Sequence, residues 1–120
     1  MKFLKVIRAL FKPAPRVRPR ECRERVLAGT AVLVDVREPS EWERGVAEQA
    51  VRLSFTDLTG KREAWTPFLA GVQERELILY CAAGGRAMVA AGMLAEEGFR
   101  AVNGGSLSDW AKAGWPIVKP

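Results

Sequence analysis

No histidine occurs anywhere in the 120 residues. That absence excludes a Ser-His-Asp triad, a Cys-His dyad and any imidazole metal site within the chain. Cysteine is nearly as scarce. Cys22 and Cys81 are the whole complement, too few for a disulfide framework and without metal-ligand spacing. Reduced thiols in a cytoplasmic setting are the expectation they leave. No apolar run is long enough to span a bilayer. Near the N terminus, charge interrupts the apolar residues and no small-residue cleavage site follows, which argues against a secretory signal. Internal repeats and low-complexity segments are also missing.

What is present fits one soluble globular domain, with 48% apolar and 28% charged residues. The net charge of +5 is unevenly spread. Residues 1–25 hold nine Lys/Arg against two acids, a balance of +7, whereas residues 26–120 hold ten against twelve, a balance of −2. The body of the chain is therefore close to neutral. No nucleic-acid partner is expected, because a nucleic-acid site needs its basic face on the fold.

Met1 to Phe11 sorts on a helical wheel. Phe3, Leu4, Val6, Ile7, Leu10 and Phe11 take one side; Lys2, Lys5, Arg8 and Lys12 take the other. Pro13 and Pro15 end the helix. Residues 1–15 thus read as a basic amphipathic segment ahead of a domain over 16–120. Residues 1–12 suit weak docking on a membrane surface or a partner, giving a peripheral location. The alternative is a helix whose apolar face packs on its own domain, or a partly disordered arm.

Further along, Arg16 to Arg18 reads as a short edge strand. Pro19 suits the first turn of a helix through Ala28, with Gly29 as its stop. Ala31 to Val36 is a β-branched run with the character of a buried parallel strand. Helices are expected over Pro39 or Ser40 to Arg44, Arg62 to Ala70, Ala87 to Glu97 and Leu107 to Ala111. Strands are expected over Val51 to Ser54, Leu77 to Tyr80 and Arg100 to Val102, with a turn at Asn103-Gly104-Gly105. This alternation predicts an α/β fold, a central parallel sheet of about five strands with helices on both faces.

The segment with most chemical content is Cys81-Ala82-Ala83-Gly84-Gly85-Arg86. It leaves the apolar run Leu77-Ile78-Leu79-Tyr80 and enters a helix. A loop in that position presents backbone N–H groups inward, and with a helix N-terminus behind it stabilises an anion. The thiolate is the reactive form of cysteine. Cys81 therefore reads as a nucleophile at the carboxyl end of a strand, where open α/β sheets carry their sites.

Four blocks together resemble a single-domain rhodanese, a sulfurtransferase module. They are Leu33-Val34-Asp35-Val36-Arg37-Glu38-Pro39 with Glu41-Trp42, then Tyr80 to Arg86, then the alanine-rich helix Ala87 to Gly98, and finally Asn103-Gly104-Gly105 followed by Trp110, Gly114 and Pro116. The resemblance covers about residues 17–118. It implies a catalytic Cys81 alternating between thiolate and persulfide, a donor that is thiosulfate or a persulfide, and an acceptor that is cyanide or a thiol, small or on a protein. It calls for no cofactor and no metal. Folds related to this one with phosphatase activity use Cys-x5-Arg, and Cys81 to Arg86 is Cys-x4-Arg, which favours sulfur over phosphate. A phosphatase or arsenate reductase is disfavoured on that count, and a non-enzymatic sulfur carrier or partner-binding module is the main alternative.

The sequence departs from the family pattern twice. Val46-Ala47-Glu48-Gln49-Ala50 stands where the family has a histidine and a small-residue turn, and Ala82 stands where thiosulfate-using members often carry a cation. A pocket mouth with fewer cations attracts a dianion less, so thiosulfate is expected to be a poor substitute for the true donor. Gly84 and Gly85 are expected to supply loop dihedrals closed to other residues. Arg86 faces the donor anion or pairs with an acid such as Asp35. Asp35 and Arg37 are expected to be scaffolding at the strand end. Trp42, Trp65, Trp110 and Trp115 read as core or groove wall, and Cys22 as a packing residue.

Overall fold

The computed structural model describes residues 2–11 and 13–120. Met1 and Lys12 of the amphipathic segment lie outside the described residues, as do the side chains of Lys2, Leu10 and Phe11. Chain order is α1 (Lys2–Phe11), α2 (Pro19–Ala28), β1 (Ala31–Asp35), α3 (Pro39–Trp42), β2 (Val46–Ala47), β3 (Val51–Arg52), α4 (Phe55–Thr59), α5 (Trp65–Ala70), β4 (Glu76–Cys81), α6 (Gly85–Glu96), β5 (Ala101–Ser106), α7 (Leu107–Lys112) and β6 (Ile117–Val118).

The apolar runs form the middle of a parallel sheet in the order β3-β1-β4-β5. β1 and β4 pair from Ala31–Glu76 to Asp35–Tyr80, and all five residues of β1 are buried. Burial on both faces is why these strands read as continuous apolar runs rather than alternating ones. One face carries Val32, Val34, Leu77 and Leu79 against Leu58 of α4, Trp65 of α5 and Ala87, Ala90 and Leu94 of α6. The other carries Leu33, Ile78 and Tyr80 against Cys22 and Val26 of α2 and Trp110 of α7. The sheet proper has four strands, and the expected strand at Arg16 to Arg18 is a single parallel bridge, Arg16 to Asn103, on the outer edge of β5. A separate antiparallel pair joins β2 to β6.

Several boundaries move for local reasons. α3 ends at Trp42, two residues early. α5 starts at Trp65, not Arg62, because Asp57 accepts hydrogen bonds from the N–H groups of Glu63, Ala64 and Trp65 at 2.8–3.1 Å. Ser54 does not continue β3; its hydroxyl accepts from Asp57 N–H and caps α4, an unexpected helix. The expected turn at Asn103-Gly104-Gly105 is strand. β5 passes so close to β4 there that a Cβ on Gly104 would lie 2.8 Å from Ile78 Cγ2 and 3.0 Å from the Leu79 carbonyl oxygen. Glycine is what lets the strand continue past that contact.

The N-terminal helix lies on the domain, antiparallel to α6. Ala9 is buried, and a Cβ on Gly92 would sit 2.6 Å from Ala9 Cβ. Lys5 pairs with Glu97 at 3.2 Å and Arg8 with Glu96 at 3.1 Å. Glu97 also takes a bidentate bond from Arg62 at 2.7 and 2.9 Å. Of the apolar residues assigned to the wheel face, Val6 and Ile7 are half-buried and Phe3 and Leu4 are exposed. Among the described side chains, a small-residue contact flanked by ion pairs makes the dock, with Val6 and Ile7 half-buried beside it. Among the described residues no helix is long and apolar enough to cross a membrane.

Asp35 ends β1 as a fully buried carboxylate. It accepts from Arg37 N–H (2.9 Å), Arg37 Nη2 (2.8 Å), Trp42 Nε1 (3.2 Å) and Tyr80 Oη (2.6 Å). Tyr80 Oη in turn accepts from Ala47 N–H at 2.9 Å. Burial, and then the Asp35 charge, push the Tyr80 phenol far above its ordinary range, so it stays a donor. Asp35→Ala leaves the Arg37 cation buried without its partner, and a loss of about 3–5 kcal/mol in urea unfolding is expected. Tyr80→Phe should cost less, about 1–3 kcal/mol, because it removes two hydrogen bonds but no charge.

Candidate functional site

Cys81 is the last residue of β4 and is 1% exposed. The neighbouring strands β1 and β5 stop beside it, and a register irregularity between Leu79 and Cys81 brings Cys81 opposite Ser106. The chain then turns through Ala82 and Ala83, both exposed, into α6. Cys81 Sγ accepts from Gly84 N–H at 2.9 Å and from Ala87 N–H at 3.4 Å. The sulfur therefore sits over the first turn of a twelve-residue helix, at the positive end of its dipole. Both N–H bonds strengthen as negative charge accumulates on the sulfur. The arrangement suits a sulfur that carries negative charge.

The two glycines of the loop differ. Gly84 has φ of +101°, in the left-handed region, and caps α6. This dihedral aims its N–H at Cys81 Sγ. Gly85 is the first residue of α6, has no positive φ, and a Cβ there would meet nothing within 4 Å. The expectation that both glycines supply special dihedrals is corrected to Gly84 alone.

Arg86 does not reach Asp35. Its Nη1 and Nη2 donate to Glu41 Oε1 and Oε2 at 2.6 and 2.9 Å, a bidentate pair bridging α6 to α3. Hydrogen bonds from Arg86 hold the Glu41 carboxyl at about 2, well below the usual carboxylate range. Glu41 also accepts from the Glu38 N–H at 3.0 Å, so α3 is capped by the same side chain that holds Arg86. The role of Glu41 was missed in the sequence. The signal available was an acid two residues after Pro39, inside a helix first turn, where a carboxylate turns back to the entry amide.

The other expected residues have structural partners. Asp35 and Arg37 form the buried ion pair, and Arg37 Nη2 also donates to the Gly45 carbonyl at 2.6 Å. Trp65, Trp110 and Trp115 are buried, and Trp42 is half-buried with its indole N–H on Asp35. Cys22 is fully buried in α2, its thiol directed at the Arg18 and Pro19 carbonyls, and burial pushes it up to about 11. It is an inert packing residue. Among the described residues no group of three or more acidic or thiol side chains could hold a metal ion.

Comparison with known proteins gives the family and the fold. Residues 18–113 match the model of the rhodanese-like domain. A sulfurtransferase of Allochromatium vinosum is 33% identical over 91 residues, covering 74% of this chain and 79% of that protein. Among solved structures, a rhodanese with anions from E. coli superposes with a TM-score of 0.60 at 24% identity, over 75% of this chain and 99% of that one. A rhodanese-related protein from Thermoplasma volcanium gives a TM-score of 0.70 at 22% identity, over 87% and 97%. The latter two establish the likeness of fold. The chain belongs to the rhodanese-like family, within which the A. vinosum relative supports a sulfurtransferase-like role.

Two outcomes follow. Gly84→Ala forces a left-handed residue and should cost about 1–2 kcal/mol in thermal unfolding while turning the loop N–H away from Cys81. Gly85→Ala should be near neutral in both stability and thiol reactivity. The Glu41–Arg86 pair depresses an acid, so its stabilisation is complete above pH about 4.5 and is lost as pH falls toward about 2. Glu41→Gln should therefore lower Tm at neutral pH, with the gap to wild type closing over that window.

Proposed function

We propose that the chain is a sulfurtransferase in which Cys81 carries the sulfur as a persulfide. The observation that supports this most is the pair of N–H groups, Gly84 and Ala87, directed at Cys81 Sγ over the start of α6. In the first half-reaction the Cys81 thiolate attacks the sulfane sulfur of the donor. The donor S–S bond breaks, its electron pair leaves on sulfite or a thiolate, and Cys81–S–S⁻ remains. In the second, a nucleophilic acceptor attacks the outer sulfur. The S–S bond to Cys81 breaks and the thiolate returns. Charge stays negative on sulfur throughout, so one fixed set of N–H donors serves both halves without a general base. That is consistent with a chain that has no histidine.

Charge at the mouth bears on the donor. Arg86 is neutralised by Glu41, and Ala82 and Ala83 add no cation. A dianion such as thiosulfate gains little there, whereas a singly charged persulfide has less to lose. A persulfide is the donor this reading prefers. A phosphatase reading has weaker support, because the four residues between Cys81 and Arg86 form the shorter loop.

The test is intact mass after incubation with thiosulfate or with cysteine persulfide, which carries a single net negative charge, on wild type and on Cys81→Ser. One added sulfur atom on wild type alone, removed by cyanide, is expected. Its transfer should be roughly tenfold or more efficient, in kcat/KM, from the persulfide than from thiosulfate. No adduct from either donor on a thiol that still alkylates would refute the enzyme. A low-micromolar thiosulfate KM would refute the donor preference alone.

A further inference from the structure

The segment Arg16 to Glu21 and helix α7 enclose a cleft of about 710 Å³, separate from the Cys81 loop. Its walls carry Arg16, Arg18, Arg20 and Lys112, with Glu21 and Asp109 as the acids. Both acids have internal partners. Glu21 Oε1 accepts the Arg18 N–H at 2.7 Å, and Asp109 Oδ2 accepts the Ser106 N–H at 3.0 Å and pairs with Arg16 at 3.2 Å. Arg18, Arg20 and Lys112 are exposed and make no salt bridge among the described residues. With Arg16 paired to Asp109, the lining leaves three cations against one acid, Glu21, whose bonded partner is a backbone amide, so the cleft keeps an excess of positive charge.

Position links this cleft to the sulfur site. A Cβ on Gly105 would lie 3.0 Å from Arg16 Nη2 and 2.5 Å from Asp109 Oδ2, while a Cβ on Gly84 of the loop would lie 4.0 Å from the Gly105 carbonyl carbon. Gly105 thus separates the cleft from the loop that holds Cys81. A volume of about 710 Å³ is far more than one inorganic anion fills and matches several side chains.

We propose that this cleft docks an acidic segment of the protein with which Cys81 exchanges sulfur. The assignment rests on the sulfurtransferase reading for the identity of the partner, but not for the charge of the segment. Complementary charge of this kind raises encounter rates and orients the partner, which brings its thiol to the loop beyond Gly105.

Two measurements test it. The first is fluorescence anisotropy of a fluorescein-labelled hexaglutamate peptide at low salt, on wild type and Cys81→Ser. Binding is expected to be equal on both. It should weaken about tenfold or more in Arg18→Glu/Arg20→Glu, several-fold in the milder Lys112→Gln, and clearly less in Arg23→Glu, an exposed α2 position outside the cleft. The second compares two acceptor peptides, a hexaglutamate and a hexalysine, each extended at its carboxyl end by glycine and cysteine. The acidic peptide should be preferred roughly tenfold, with the preference abolished in the cleft variants and turnover to cyanide unaltered. No peptide binding, equal weakening by Arg23→Glu, or binding without acceptor preference overturns the proposal. So does tighter binding of an oligothymidylate of equal charge that the same variants abolish. A missing persulfide on Cys81 is read separately, by mass, and leaves the peptide-binding result standing.

Discussion

One buried carboxylate organises the half of the molecule that faces the loop. Asp35 terminates β1, and its hydrogen bonds engage α3 through Trp42, the following turn through Arg37, and β4 through Tyr80. Tyr80 is the residue immediately before Cys81, and its hydroxyl also receives the amide of Ala47 in β2. A displaced Asp35 would shift all of these at once. Such a group gains little net stability from ionic attraction, since desolvation opposes it. Its effect is to satisfy the buried polar atoms of Arg37, Trp42 and Tyr80 in the observed register of β1 and β4. Consistent with this, no buried side-chain polar atom of the described residues lacks a partner.

The second ion pair, Glu41 with Arg86, ties the first turn of α6 to α3. The loop between Cys81 and Gly85 is thus fastened at both ends, by β4 on one side and by α3 on the other. That leaves few soft degrees of freedom between the sulfur and its N–H donors. The pairing offsets much of the guanidinium charge beside the loop, so backbone dipoles act on the sulfur together with a remaining interaction with Arg86. Dipoles fixed in a rigid frame need no reorganisation when charge develops beside them.

Much of this was legible in the sequence because strong local signals coincided with tertiary demand. The start of α2 at Pro19 and its stop at Gly29, with φ of 82°, follow from single residues. The apolar runs of β1 and β4 were equally clear, whereas α6 begins at Gly85, two residues before the expected Ala87. What escaped depends on contacts far apart in sequence. The length of β5 is decided by how closely Gly104 approaches β4, and the start of α5 by the carboxylate of Asp57. The pairing of β2 with β6 joins distant parts of the chain through two-residue strands, too short to show any periodicity. At the site, the position of Cys81 could be read from pattern. The choice of Glu41 over Asp35 as the partner of Arg86 could not, since the sequence offers both acids and only the path of α3 separates them.

The antiparallel seating of α1 on α6 sets the polarity of the whole molecule. Gly92, Glu96 and Glu97 receive α1 at the end of α6 remote from Cys81, and Lys5 lies further along in that direction than Ala9. At about 1.5 Å per residue, the Gly92 contact is about 10 Å along the axis from the first turn that holds the sulfur. The amino end of α1 and the sulfur loop therefore lie toward opposite ends of α6.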